Sequence, residues 1–265
     1  MPRPEPWLRV RALTEEMPLA IRRRIGLLVP STNTVAEPDV HGAVPEGVTV
    51  HVHRMFLPDN VPKKDAMDRM NSDLEQGARY LATAKIEIIC MTGTQNSFYK
   101  GASGADWMEE TMSRAAGVPG IASSPSVLQA LRHFKARKLT VATPYSVWGN
   151  ERLGVYLAEN GFEALNIDRD ERIADGHPQH MNDVEPDFIL DYVLSVVRRD
   201  ADAIFLPCAA WRVMEIAATL EAETGLPVIT TNQATIWRTL RKLGLKTAKP
   251  GFGRLLDEMP DPEDL

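Results

Sequence analysis

Three segments of this 265-residue chain occur twice, in the same order and at nearly the same separation. "IGLLVPSTN" matches "LTVATPYSV", with Pro30 against Pro144. "EIICMTG" matches "DAIFLPC", with Gly93 against Cys208. "GVPGIASSPSVLQALRHF" matches "GLPVITTNQATIWRTLRKL", with Pro119 against Pro227. The offsets are 114, 115 and 108 residues, which restricts the chain to two similar halves with the same element order. Short apolar runs at 25–30, 48–55, 86–91, 139–144, 203–207 and 227–230 read as strands. Most are apolar at consecutive positions, the pattern of parallel strands buried on both faces. Helical patterns fill 64–84, 105–116, 126–134, 150–160, 187–198, 211–223 and 234–243. Strand and helix alternate, so each half is an α/β unit on a parallel sheet. The halves are expected at 22–137 and 138–243, after an N-terminal arm at 1–21. The segment 244–258 is expected to pack back on the first half, with a tail at 259–265.

A site between two such halves would be built from their matching strand tips. Cys208 ends one strand, and its counterpart is Gly93. Cys208 has two readings at this stage: a buried, inert small hydrophobe, or a reactive thiol whose acidity is raised by the N-terminus of a following helix. Cys90 lies inside an apolar run and reads as core. At "PSTNT", Ser31, Thr32 and Asn33 suit helix capping and equally an anion site, since a helix N-terminus offers free N–H groups to a carboxylate. Pro30 precedes them. At "TGTQNS", Gly93 lets the backbone of Thr94 and Gln95 approach a ligand. Tyr145 follows a strand and a proline, where a phenol can enter a cleft.

The histidines are weaker signals. His51 and His53 share a strand face with no third ligand spaced to complete a metal site. His177 and His180 lie in the polar stretch "DGHPQHMND", which reads as surface or as a loop over a cleft. No P-loop or GxGxxG pattern is present, so nucleotide binding has no support.

Composition removes whole classes. The net charge is −6, with no basic stripe carrying aromatics, so no nucleic-acid partner is expected. Two cysteines make no disulfide framework. No apolar run approaches the ~20 residues of a membrane span, and the charged N-terminus has no apolar core of a secretory signal. A cytoplasmic protein, monomeric or a small homo-oligomer, is expected.

The strand tips resemble the aspartate/glutamate racemase superfamily, within it the arylmalonate decarboxylases and maleate cis-trans isomerases. "GTQNSFYKG", "TPYSVWGNERL", "PCAAW" and "KPGFGRLLDE" look like the decarboxylases, and "RRIGLLVPSTNTVAEPDV" looks more like the isomerases. "ADAIFLPCAAWR" and "TTNQATIWRTLR" are similar to ectoine-utilisation relatives. The resemblance spans about 22–258. It implies two flavodoxin-like halves related by pseudo-two-fold symmetry and cofactor-independent chemistry beside a carboxylate. Racemases and isomerases of the group use two cysteines, and decarboxylases keep only the second, which here matches Cys208. The first falls on Gly93. Cys90 is three positions too early, about 10 Å along a strand and on its other face.

The resemblance therefore implies a catalytic Cys208. Donors from the backbone of Thr94 and Ala209 and the side chains of Thr94 and Tyr145 would stabilise an enediolate. Ser31, Asn33, Gly93 and Gln95 would contact the substrate, with Pro30, His177, His180 and Asn232 as further candidates. One thiol protonates one face of a carbanion, which argues against a two-base racemase. The "HPQH" stretch, placed by the resemblance at the pocket for the departing carboxylate, implies a polar pocket and a small malonate-like or dicarboxylic substrate. No metal or other cofactor is implied. An isomerase or racemase, or a carboxylate-binding protein that lost its chemistry, remain the alternatives.

Overall fold

The computed structural model describes residues 23–58, 61, 63–173, 178–247 and 250–259. Each half contributes four parallel strands. In the first, β1 (Arg23–Pro30), β2 (Val48–Met55), β3 (Ile88–Met91) and β4 (Gly120–Ala122) lie in the order β2-β1-β3-β4. In the second, β5 (Lys138–Thr143), β6 (Glu163–Arg169), β7 (Ala203–Leu206) and β8 (Val228–Thr230) lie in the order β6-β5-β7-β8, the same arrangement displaced by four strands. All adjacent strands pair parallel. The fold is α/β, as the repeat requires.

The inner strands are buried along their length because their apolar residues are consecutive. Leu27, Leu28 and Val29 of β1, and Ile204 and Leu206 of β7, have no exposure to solvent. Two strands escape the apolar-run criterion. β6, "EALNIDR", is an edge strand, exposed at Glu163 and half-buried along the rest. β4 is three residues long, and only its match to the β8 segment marked it.

Helices α1 (Ala36–Ala43), α2 (Lys63–Asn71), α3 (Leu74–Ala82), α4 (Thr94–Phe98), α5 (Ala102–Ala116) and α6 (Ser123–His133) belong to the first half's sequence. The second half's are α7 (Val147–Glu159), α8 (Pro178–Asn182), α9 (Pro186–Val196), α10 (Ala217–Thr224) and α11 (Thr231–Leu243), followed by α12 (Arg254–Asp257). The single helix expected over 64–84 breaks at Ser72–Asp73. There the Ser72 hydroxyl donates to the Arg69 carbonyl at 2.7 Å, competing with the helical ladder. Asp73 also bonds His53 at 3.1 Å, which accounts for one half of the His51–His53 pair.

Two further expectations are corrected. The helix expected at 211–223 begins only at Ala217, so residues 209–216 form a turn-rich loop behind Cys208. The C-terminal segment packs mainly on the second half, not back on the first. Gln233 donates to the Phe252 carbonyl, and the Arg254 N–H bonds Glu221 at 2.8 Å. Those anchors tie its backbone to α10 and α11, while the Phe252 ring approaches Gly42 of the first half and the charge of Glu258 acts on His133.

The seam is built by α6 and α11, which pack on each other. α6 also touches β8, and α11 crosses to β3, β4 and α1. One continuous apolar core therefore runs through both halves. Hydroxyls line the seam: Thr94 meets Thr231 at 2.7 Å, and Ser123 meets Thr235 at 3.1 Å. Arg238 on α11 holds Glu109 on α5 with a two-pronged ion pair.

Candidate active site

The C-terminal ends of β1, β3, β5 and β7 converge on a cavity of about 130 Å³ at this seam. Cys208, Gly93, Thr94, Gln95, Tyr145, Asn33, Ala209 and Pro30 all line it. Ligands in parallel α/β sheets sit at such strand ends.

Cys208 follows β7 through Pro207 and has φ +90°. Among the described residues, the other non-glycine positive φ values are Lys85 and Lys135, both at 56° and both just past helices. A cysteine held in that region costs on the order of 1–3 kcal/mol and persists where the surroundings impose it. Here they do: the Cys208 N–H donates to Thr94 Oγ1 at 3.3 Å, and Cys208 Sγ lies 3.6 Å from Met181 Sδ.

Burial pushes the thiol up to about 12, opposed by the Ala210 N–H, the Tyr145 hydroxyl and the charge of Lys63. The expected helix N-terminus does not lower it, because no helix starts until Ala217. Cys208 is a protonated thiol in this state, suited to giving a proton. Tyr145 is buried, and its phenol is held well above its ordinary value, first by burial and then by the nearby Cys208. It stays a donor. Its backbone is fixed by Thr143 Oγ1, which accepts the Tyr145 N–H at 3.2 Å and donates to Asn150.

Asn33 serves both readings of "PSTNT". Its Oδ1 accepts the N–H groups of Val35 at 2.8 Å and Ala36 at 2.9 Å, so it caps the start of α1. Those two bonds fix the amide's orientation. Its Nδ2 is buried without a partner among the described residues, in a residue that lines the cavity. A buried donor without an acceptor costs about 1–3 kcal/mol, which an anionic ligand would remove.

Gly93 is extended, at φ −167°, and its N–H donates to Ser123 Oγ at 3.1 Å. A side chain there would run into Met91 Cε and Asn96 Oδ1. Gln95 reaches across the seam to α7, where a Cβ on Gly149 would meet its Nε2 at 2.5 Å.

Three sequence candidates lie outside the lining. Ser31 Oγ accepts the Leu57 N–H at 3.0 Å, so Ser31 builds the loop rather than the site. Asn232 sits one layer behind, bonded to the Ala209 carbonyl. His180 is exposed, and the residue of its helix that reaches the thiol is Met181. His177 lies outside the described residues. Cys90 is buried inside β3, with its thiol also pushed up to about 12 by burial. Among the described residues no group of three His, Cys, Asp or Glu could hold a metal ion.

Sequence reasoning missed one wall. Leu57, Pro58, Ala66, Met67, Met70 and Met181 also line the cavity, and Lys63 lines it with them. Ala66, Met67 and Met70 are spaced as a helical core stripe, and nothing in the sequence separates core from wall. Among the described residues this wall is apolar; His177 and the side chains of Pro178 and Gln179, from the "HPQH" stretch expected to make the pocket polar, lie outside them. α8 is tied down by Asn182, which donates to the Thr32 carbonyl at 2.9 Å and accepts the Thr34 N–H at 3.3 Å. That fixes Met181 over Cys208.

A family model for arylmalonate decarboxylase matches residues 25–256. The chain is 28% identical over 250 residues to the maleate isomerase of Pseudomonas putida, covering 88% of this chain and 96% of that protein. It is 29% identical over 202 residues to the arylmalonate decarboxylase of Bordetella bronchiseptica, covering 73% and 81%. Among solved structures, a liganded double mutant of arylmalonate decarboxylase matches with TM-score 0.81 at 26% identity, over 89% of this chain and 100% of that one. A mutant of Nocardia farcinica maleate cis-trans isomerase shares the fold, with TM-score 0.81 at 23% identity over 90% and 99%. Among the described residues no helix is long and apolar enough to cross a membrane.

Proposed function

The chain belongs to the arylmalonate decarboxylase family, and we propose that within it this enzyme is a cofactor-independent decarboxylase of a small malonate-like acid, with Cys208 as the sole proton donor to carbon. The observation that carries this is the pairing of one protonated thiol, Cys208, with a glycine, Gly93, at the equivalent tip across the cavity.

The retained carboxylate is held by Thr94, Tyr145 and Asn33 Nδ2, with the Ala209 N–H as a further donor. The departing carboxylate lies against Leu57, Ala66, Met67 and Met70. Those side chains offer it no hydrogen-bond donor, so its charge is destabilised there, and loss of that charge as CO₂ relieves the cost. The C–C bond breaks, its electron pair moves onto the α-carbon and the retained carboxylate, and the donors stabilise the enediolate as charge develops. The Cys208 S–H then transfers its proton to carbon, and the thiolate regains one from solvent. A single acid on one side gives one enantiomer.

Isomerisation of a maleate-like alkene is the second reading. It is favoured by the greater share of the chain that the maleate isomerase relative covers, and opposed by Gly93, which leaves no thiol to add to the double bond from the first half. Incubation with 2-substituted malonates, maleate and α-substituted carboxylic acids in D₂O separates the readings. We expect CO₂ release with one deuterium incorporated in one configuration. Conversion of maleate to fumarate without CO₂ release from any malonate would overturn the decarboxylase reading.

A further inference from the structure

A chain of hydrogen bonds that the proposed chemistry does not use runs behind the Cys208 turn. Asn232, in the first turn of α11, is 2% exposed. Its Nδ2 donates to the Ala209 carbonyl at 3.1 Å and, across the seam, to Asp39 Oδ2 on α1 at 2.7 Å. Its Oδ1 is buried with no hydrogen-bond partner among the described residues. The Ala209 carbonyl belongs to the same peptide unit as the Ala210 N–H, the group that most lowers the buried Cys208 thiol's pKa. A trans peptide is planar, with C=O and N–H directed oppositely, so whatever grips one end aims the other.

We infer from this geometry that Asn232 and Asp39 are positioning residues for Cys208: they hold the Ala209–Ala210 peptide with its N–H on the sulfur, and the ionised Asp39 carboxylate keeps that hold in place. The inference rests on Cys208 being the reacting group, but not on which substrate it serves.

The charge of Asp39 matters because Asn232 has two faces. A carboxylate only accepts, so Nδ2 must face it, and the same Nδ2 then reaches the Ala209 carbonyl. A protonated Asp39 offers an O–H, whose natural acceptor is the unused Oδ1. Turning the amide to meet it sets Oδ1 against the Ala209 carbonyl, two acceptors face to face, and the peptide loses its anchor.

Asp39 is placed to change charge under mild conditions. Burial against α11 pushes its carboxyl up to about 7; the Asn232 bond and Arg212 oppose the shift, and Glu215 adds to it. Arg212 is itself paired with Glu215 and Glu185, and Glu37, on Asp39's own helix, is paired with Arg54. The sulfur is faced by Tyr145 and the Ala210 N–H and feels the charge of Lys63. The Asp39 switch therefore reaches the thiol through the peptide. As pH rises through 7, Asp39 ionises, the hold tightens, and the thiol becomes more acidic.

The test is the rate at which iodoacetamide alkylates Cys208 in the full-length protein, read by peptide mapping from pH 5.5 to 9.5. It needs no substrate, so a protein that fails to decarboxylate still reports. For wild type we expect the logarithm of the rate to rise faster than one unit per pH unit around pH 7 and at one unit above pH 8. Asp39→Asn keeps an acceptor for Nδ2 that does not titrate. It should rise at one unit per pH unit throughout and stay within about threefold of wild type above pH 8. Asn232→Ala, which lets the peptide go, should be about tenfold slower at pH 9, the effect of one hydrogen bond on a thiolate. If Asn232→Ala does not fold, the pH profiles of wild type and Asp39→Asn still decide. A wild-type profile of constant unit slope, superimposable on that of Asp39→Asn, would overturn the inference, as would a folded Asn232→Ala with the wild-type rate at pH 9.

Discussion

The two equivalent strand tips that border the cavity carry their residues against backbone preference. Gly93 has an extended backbone that any residue adopts, yet it is the glycine. Cys208 sits at φ +90°, a conformation that favours glycine, yet it carries a side chain. Different forces fix the two positions. Gly93 is dictated by packing, because Met91 and Asn96 occupy the space of a side chain. Cys208 is dictated by neither backbone nor packing, and a strained thiol at the cavity wall is what the proposed reaction requires. In the proposed reaction the first half supplies donors, in Asn33 and Thr94, and the second supplies the reacting proton.

The strongest way to break this contrast is to remove the thiol. Cys208→Ala should lower turnover by at least ~10²–10⁴-fold, the worth of general acid catalysis, with thermal unfolding little changed. Turnover near that of wild type would mean that the second tip is no more chemical than the first.

The next test gives the first tip a thiol. Gly93→Cys places a sulfur on the opposite side of a planar enediolate, so one thiol removes an α-proton while the other replaces it. We expect deuterium wash-in at both faces and loss of enantiomeric purity in the product. The substitution must push aside Met91, whose end is flexible, and Asn96, whose Nδ2 donates to Asn71 Oδ1 at 2.9 Å. Overpacking of that kind costs about 1–3 kcal/mol, measurable by urea unfolding. Two-face exchange already present in wild type would show that the contrast hides a second base.

Most of the fold and half of the site were legible in the sequence, for one reason. The duplication aligned the strand tips, and strand tips are where the cavity had to be. Gly93, Thr94, Tyr145, Cys208 and Asn33 followed from that alignment. What the sequence hid was which side chains the local structure consumes. Ser31 reads like Asn33 but spends its hydroxyl on Leu57. Asn232 points at the back of the turn, because Asp39 approaches from the other half. The apolar wall of Met67, Met70 and Met181 is spelled in residues that also make ordinary cores. β6 was missed because an edge strand needs no apolar run.

The smallest expected effect on activity comes from the other cysteine, and it sharpens the contrast by asking whether the first half is chemically silent. Cys90 lies inside β3, three residues before Gly93, with its side chain in the core. Cys90→Ala should leave turnover within about twofold, because no atom of Cys90 lines the cavity. Its signature lies in alkaline stability. Burial raises the Cys90 thiol from 9.0 to about 12, so between those values the unfolded chain has released its proton while the folded one retains it. Stability contributed by that difference is fully present below pH 9 and is lost as pH rises toward 12, at about 1.4 kcal/mol per pH unit for one thiol. Cys208 is raised to about 12 by the same cause and adds an equal slope. Urea unfolding at pH 8, 9 and 10 should therefore show the alkaline loss reduced in Cys90→Ala and in Cys208→Ala alike, and reduced further in the double variant. Equal slopes with unequal effects on turnover would separate burial, which both thiols share, from position at a strand tip, which only Cys208 has. A large loss of turnover in Cys90→Ala would place chemistry in the first half after all.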